Sequence, residues 1–323
     1  MFGADDSLRT LVLALLLDAL IGDPDWVWRR VPHPVVVLGW VVDRLDRLLN
    51  RENWSKAQRR VTGVIAIALV VVAAGALGWL IEWLLHFTAF GWLLEGLLAS
   101  VFLAQRSLYQ HVARVQAAFA TGGLSAARVA VSAIVGRDPD ALDQAGVCRA
   151  AIETTAENFS DGVVAPAFWF ALLGLPGLIA YKAINTADSM IGHLDERFRA
   201  FGWAAARLDD LVNLAPARLA GLLLAIASSV ASGSIAHSLR VVWTDARNHR
   251  SPNAGWPESA MAAALGLALV GPRVYADEIV DGPFLNAAGR RDASPDDIGR
   301  ALILFVAACG LEVAIYAALA LVA

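Results

Sequence analysis

Three polar runs in this chain carry side chains suited to phosphate and amine chemistry. The first places Glu153, Glu157, Asn158 and Asp161 close together. Glu153 and Glu157 are four apart and share a helix face, where two like charges repel mildly unless a cation or arginine sits between them. That pattern suits a Mg²⁺ or substrate-amine site at a membrane edge. It equally suits a solvated helix end paired with Arg149.

The second run holds Asn185 and Asp188, three apart on one helical face, followed by Arg207, Asp209, Asp210, Asn213 and Arg218. Adjacent Asp209 and Asp210 point in different directions on a helix, so one of them at most faces a given site easily. Magnesium takes few carboxylate oxygens and completes its shell with phosphate and water, which scattered acids of this kind can supply. The alternative is helix caps and interfacial ion pairs with Arg199, Arg207 and Arg218. The third run contains Arg247, His249, Arg250, Ser251, Pro252, Asn253, Gly255, Pro257 and Glu258. Its prolines and glycine forbid a regular helix and should leave backbone N–H groups free. With Arg247 and Arg250 these would make a phosphate cradle. A structured turn without a ligand is the other reading. Glu258 would open the helix that follows.

The elements that must hold these runs are apolar. Hydrophobic residues make up 58% and charged residues 17% of the chain, against roughly 45–50% and about 25% in soluble domains. Residues 61–81 and 162–181 contain no charge, and 219–239 contain one titratable residue, His237. Residues 87–105 are interrupted by Glu95, and 301–323 by Glu312. Each block, as helix, spans about 30 Å, the thickness of a bilayer core. The expected fold is therefore all-α: a multi-pass integral membrane helical bundle, one domain over 1–323, with polar segments on the cytoplasmic side. Residues 8–22 are short for a span and contain Asp18, so they should be shallow or packed in protein. With Asp5 and Asp6 ahead of them, they do not read as a secretory signal.

Polar segments 23–60, 106–161, 182–218 and 240–300 separate the blocks. The first carries Arg29, Arg30, Arg44, Arg47, Arg51, Lys56, Arg59 and Arg60, which places it in the cytoplasm by the positive-inside rule. A helical hairpin formed by 61–81 and 87–105 would return 106–161 to the same side. Segment 182–218 carries Lys182, Arg197, Arg199, Arg207 and Arg218, which disfavours export. Pro166, Gly174, Pro176 and Gly177 break the block before it, so that segment should dip and return, or its acids should sit on helix ends buried at the cytoplasmic face.

Several classes are excluded. A net charge of −4 gives no nucleic-acid footprint. Cys148 and Cys309 form no metal-type pair and the six histidines are dispersed, against a His/Cys zinc site. No P-loop, nucleophile elbow or internal repeat occurs.

Five stretches in register resemble one family. They are 17–24 (LDALIGDP) with His33 and Pro34, 150–162 (AAIETTAENFSDG), 184–192 (INTADSMIG), 206–210 (ARLDD) and 251–258 (SPNAGWPE). In this order and spacing, over roughly residues 11 to 311, the chain resembles the adenosylcobinamide-phosphate synthases of cobalamin biosynthesis (the CobD/CbiB family). The resemblance implies a ligase that joins a propionate carboxylate of adenosylcobyric acid to aminopropanol, or its O-phosphate, as an amide. ATP and Mg²⁺ are implied with it, as are an inner-membrane location, a cytoplasmic active site, and contact with other cobalamin-synthesis enzymes. On that reading Asp188, Asp209 and Asp210 are the expected Mg²⁺ ligands. Arg207, Arg218, Arg247 and Arg250, with Ser251, Asn253, Glu258 and Asp23, are the expected phosphate and substrate contacts. Glu153, Glu157, Asn158, Asp161 and Asn185 are the expected catalytic group, either glutamate holding the amine or acting as base. Two other classes stay open: a multi-pass transporter, and an intramembrane alcohol-phosphate or prenyl transferase.

Overall fold

The computed structural model describes residues 4–136, 139–275, 278–280 and 282–322. In chain order its helices are α1 (Ala4–Leu20), α2 (Asp25–Trp28), α3 (Pro34–Leu49), α4 (Lys56–Leu85), α5 (Gly91–Ser100), α6 (Gln105–Ser132) and α7 (Gln144–Phe159). A π-turn at Ser160–Val164 leads into α8 (Ala165–Ile191), followed by α9 (Trp203–Val212), α10 (Leu214–Ala227), α11 (Ile235–Asp245), α12 (Gly255–Leu265) and α13 (Pro295–Val322). The protein is all-α in architecture. Among the described residues, four helical stretches are long and apolar enough to cross a membrane: Lys56–Leu85, Gln144–Ile191, Leu214–Ala231 and Pro295–Val322.

The chain divides into two compact units. The first comprises Met1–Ala104, Ala165–Asn213 and Ile315–Ala323. Its main packing is α4 against α8, through a stripe on α4 of Gly63, Ala66, Ile67, Val70, Ala74 and Gly78. These residues recur at three and four, one helical face, and most are small enough to let backbones approach. A Cβ on Gly78 would sit 2.7 Å from Pro176 Cα. The opposite face of α4, with Val61, Val64, Ile65, Leu69 and Val72, stays exposed and apolar, as expected of a surface that meets lipid. In α8 the helix kinks at Gly174 (φ 64°, ψ −152°) and resumes through Pro176, so the breakers bend this block without ending it. Asp18 lies buried in α1, which packs on α5 and α8.

The second unit comprises Gln105–Val164 and Leu214–Ala314. Its centre is α12, in which every residue except Trp256 is buried. The run from Ala260 to Leu265 is apolar all round, as a core helix must be. Helices α7, α10 and α11 pack around it, and Gly266 at φ 69° closes it with a left-handed cap.

Two apolar blocks fold differently from expectation. Within 87–105 the helix α5 has only 10 residues, about 15 Å, so it is too short to return across a bilayer and the hairpin of two full spans does not form. Block 219–239 is interrupted where α10 passes through a 3₁₀ turn to Ser232, at φ 62°. Residue Gly233 follows it, and a Cβ there would lie 2.7 Å from Ala264 O. The second half of that block is α11. Small strands also occur that hydropathy did not suggest: Leu269 and Val270 pair antiparallel with Leu285 and Phe284, and Arg273–Tyr275 pairs with Glu278–Val280.

Candidate functional site

In the first unit the site is built at the C-terminal end of α8 and on α9. Asn185 and Asp188 lie one turn apart near the end of α8, and α9 packs against that helix. Asn185 Nδ2 donates to Asp209 Oδ1 at 3.4 Å. Asn213 Nδ2 donates to Asp209 Oδ2 at 3.0 Å, and the Tyr181 hydroxyl donates to Asn213 Oδ1 at 3.0 Å. Asp209 is thus fixed by a three-residue relay on both of its oxygens. Burial pushes its carboxyl up to about 7, the neighbouring Asp188 charge adds to this, and the two asparagine hydrogen bonds oppose it.

Asp188 is held close to its own chain. A Cβ on Gly192 would fall 2.0 Å from Asp188 Oδ1, and Gly192 N–H donates to Asp188 O at 2.7 Å. Asp210 turns away from Asp209 and pairs with Arg207 at 3.1 Å. Its carboxyl is raised by burial, with Arg207 opposing. The structure therefore brings together Asn185, Asp188 and Asp209, and directs Asp210 and Arg207 at each other. Among the described residues no group of three or more His, Cys, Asp or Glu is arranged to hold a metal ion. Two crowded carboxylates with an amide do fit a magnesium ion that completes its shell with phosphate and water.

Asp23, in the same unit, lies 3.3 Å from His33 Nε2. His33 Nδ1 in turn accepts from Val35 N–H at 3.2 Å and caps α3. The pair anchors the start of that helix.

In the second unit the turn before α12 gathers the arginines. Arg218 on α10 donates to Leu214 O at 2.8 Å and to Asn253 Oδ1 at 3.3 Å, and its guanidinium lies 4.5 Å from the Trp256 ring centre. Arg247 stacks loosely over Trp243 at 5.6 Å, within electrostatic reach of Arg218. Exposed Arg250 makes no hydrogen bond or ion pair among the described residues. The expectation of free N–H groups in this turn is corrected: Asn253 and Ala254 N–H both donate to Ser251 Oγ at 3.2 Å, and Ser251 N–H donates to His249 Nδ1 at 3.0 Å. His249 Nε2 lies 3.6 Å from buried Glu258 Oε2. The turn is closed by its own hydrogen bonds, and the cationic groups it presents are guanidinium groups.

The glutamates of α7 separate. Glu153 is 3% exposed and accepts Val270 N–H at 2.8 Å, holding the first short strand. Glu157 and Asn158 are exposed near the end of the helix, with Asp161 half-buried in the π-turn. Pattern reading placed Asn213 in the second run without a role, and gave none to Tyr181 or Trp256. Tyr181 lies four before Asn185 and Asn213 four after Asp209, a helical spacing that marks the relay once Asp209 is singled out.

Comparison with known proteins agrees with the motif pattern. The family model described as "CobD/Cbib protein" matches residues 11–305. A protein of Rhizobium meliloti (strain 1021) named "Cobalamin biosynthesis protein CobD" is 52% identical over 317 residues, covering 97% of each chain. One of Sinorhizobium sp with the same name is 50% identical over 318 residues, 98% of each. One of Brucella anthropi is 52% identical over 301 residues, 92% of each. No solved structure matches. With a family match over nearly the whole length and relatives near half-identical from end to end, the chain belongs to the CobD/Cbib family.

Proposed function

We propose that this protein acts in cobalamin biosynthesis as an ATP-dependent amide ligase, joining aminopropanol or its phosphate to a propionate carboxylate of adenosylcobyric acid at the inner membrane. The observation that carries the reading is end-to-end similarity to proteins named for cobalamin biosynthesis. The two polar constellations supply chemistry of the required kind. A carboxylate and an ammonium form a salt at neutral pH, so the carboxylate must first gain a leaving group. Phosphorylation by ATP gives an acyl phosphate and ADP. Attack by the free amine then forms the amide and releases phosphate.

Each part of that sequence has a candidate group. Asp188 and Asp209 would hold Mg²⁺, which would neutralise phosphate charge when bound. Arg218, Arg247 and Arg250 would stabilise phosphate oxygens on the turn. Exposed Glu157 is better placed than Glu153 to take a proton from the ammonium, because Glu153 is buried and holds Val270 N–H. A cytoplasmic site and contact with other enzymes of the pathway go with this reading.

One observation favours transport: Asp18, Glu95 and Glu312 are buried acids within apolar segments, a pattern found along ion pathways. A single assay separates the classes. Detergent-purified, folded protein given adenosylcobyric acid, aminopropanol phosphate, ATP and Mg²⁺ is expected to yield the amide by mass spectrometry, with one ADP per amide. No amide with either aminopropanol or its phosphate would remove the ligase reading. In the same assay Arg250→Gln is expected to raise KM for one phosphate-bearing substrate about tenfold, the scale of a lost charge-assisted hydrogen bond, with Tm unchanged. Unaltered KM for both would remove Arg250 from the cradle.

A further inference from the structure

The first unit contains a second cationic site, built from residues that neither constellation uses. The first turns of α4 carry Lys56, Arg59 and Arg60, and the segment before α9 carries Arg199. With Leu194 and Trp203 they line a cavity of about 670 Å³, whose one acidic lining residue is Glu196. Four positive charges against one negative leave the cavity strongly cationic.

The four cations are not equivalent. Arg59 Nε donates to Asn50 Oδ1 at 2.7 Å, and its guanidinium also donates to Arg197 O. Arg60 lies 3.7 Å from the Trp203 ring centre, its guanidinium oriented by a cation–π contact. The side chains of Lys56 and Arg199 make no hydrogen bond or ion pair among the described residues. Two cations are thus held in place by the protein, and two have no hydrogen-bond or ion-pair partner among the described residues.

The walls are pre-formed. Arg197 pairs with buried Asp46, and Asn50 Nδ2 donates to Asp46 Oδ1 at 2.7 Å and to Arg197 O at 3.2 Å. Gly63 brings α4 against Phe201, where a Cβ would fall 1.9 Å from the carbonyl oxygen. A cavity with fixed walls binds without first ordering them.

Its place along α4 indicates the occupant. The basic turn ends at Arg60, and from Val61 the helix runs uncharged to Ile81. The cavity therefore opens where an apolar span begins. Lysine, arginine and tryptophan are the side chains that sit at lipid headgroup level. Exposed Leu194 and Trp203 add apolar surface beside the charges. We propose that this cavity binds the phosphate of an anionic phospholipid headgroup. Arginine forks grip the phosphate oxygens, Lys56 adds a point charge, and the apolar rim meets the first carbons of the lipid.

Soluble phosphate shares the charge but lacks the acyl chains, so the two sources can be told apart. Purified full-length protein in neutral detergent is titrated with phosphatidylglycerol, phosphatidylcholine or inorganic phosphate, with bound species read by native mass spectrometry. Phosphatidylglycerol is expected to bind at least about tenfold more tightly than phosphatidylcholine. Lys56→Gln with Arg199→Gln should weaken it roughly twenty-five-fold, at about fivefold per basic side chain. Arg114→Gln, an exposed charge in the second unit, should leave it unchanged. Equal binding of the two lipids, or a double variant that binds like the parent, would overturn the site. Binding of inorganic phosphate alone, lost in the double variant, with no preference for phosphatidylglycerol, would overturn the lipid as its source.

Discussion

Asp209→Asn is expected to lower amide formation by orders of magnitude while making the protein more stable at neutral pH. The two effects have one origin. Burial, and after it the neighbouring Asp188 charge, push the Asp209 carboxyl up to about 7 from its ordinary 3.8. Between those values the folded protein keeps a proton that the unfolded chain has released. Stability from this group therefore falls as pH rises through that window, and the full cost is present above about pH 7. In full the gap is worth about 4 kcal/mol, and screening at this half-buried position reduces it to on the order of 1–2 kcal/mol. Asparagine keeps the shape and carries no such cost, although its NH2 would face one of the two asparagine donors and the hydrogen bond lost there, on the order of 1 kcal/mol, offsets part of the gain. The same carboxylate would hold Mg²⁺, and metal neutralisation of phosphate is worth several kcal/mol in the transition state. Melting curves at pH 5 and pH 8, with and without Mg²⁺, separate the contributions. The variant's advantage over the parent should be larger at pH 8 than at pH 5, and Mg²⁺ should raise the parent's Tm but not the variant's. Full activity together with a retained Mg²⁺ shift would show Asp209 to be a structural group.

Gly63→Ala is expected to destabilise the first unit by about 3 kcal/mol, the upper range of overpacking. Its neighbour in the same helix, Gly75→Ala, should stabilise it by about 0.5–1 kcal/mol. A Cβ at position 63 would lie 1.9 Å from Phe201 O, a backbone atom that cannot rotate aside, whereas one at 75 meets nothing within 4 Å. Gly202→Ala should resemble Gly63→Ala, because its Cβ would fall 1.6 Å from Ile191 O. Both contacts sit where α4, the end of α8 and the start of α9 close around Val42, Ala66, Ile67, Ala187, Ile191, Phe201 and Ala205. Thermal unfolding in one detergent compares all three variants. Equal midpoints for Gly63→Ala and Gly75→Ala would show that the close approach is not required.

Apolar length was legible where a block is a single helix, as in α4, α8 and α13. It misled where apolar residues continue through a turn. Residues 87–105 and 219–239 have the composition of spans, but composition does not register the bend at Ser232 and Gly233 or the short α5, which packs on α1. The family pattern was legible too, because five motifs in register are a property of the chain alone.

Helical spacing determined that Asn185 and Asp188 share a face, and that Asp209 and Asp210 cannot both turn to one site. Which aspartate meets Asp188 was decided only by the docking of α9 on α8, which gives Asp209 to the asparagine relay and leaves Asp210 to Arg207. Spacing likewise put Glu153 and Glu157 on one face, and packing buried the first under Val270 N–H while exposing the second. The cationic cavity joins Lys56 to Arg199, residues far apart in the chain. Local periodicity fixes which way a side chain leaves its own helix, because the helix repeat is a property of neighbouring residues. What it meets there depends on which other segment packs against that face, and burial and close backbone approach between distant segments settle that only in the folded protein.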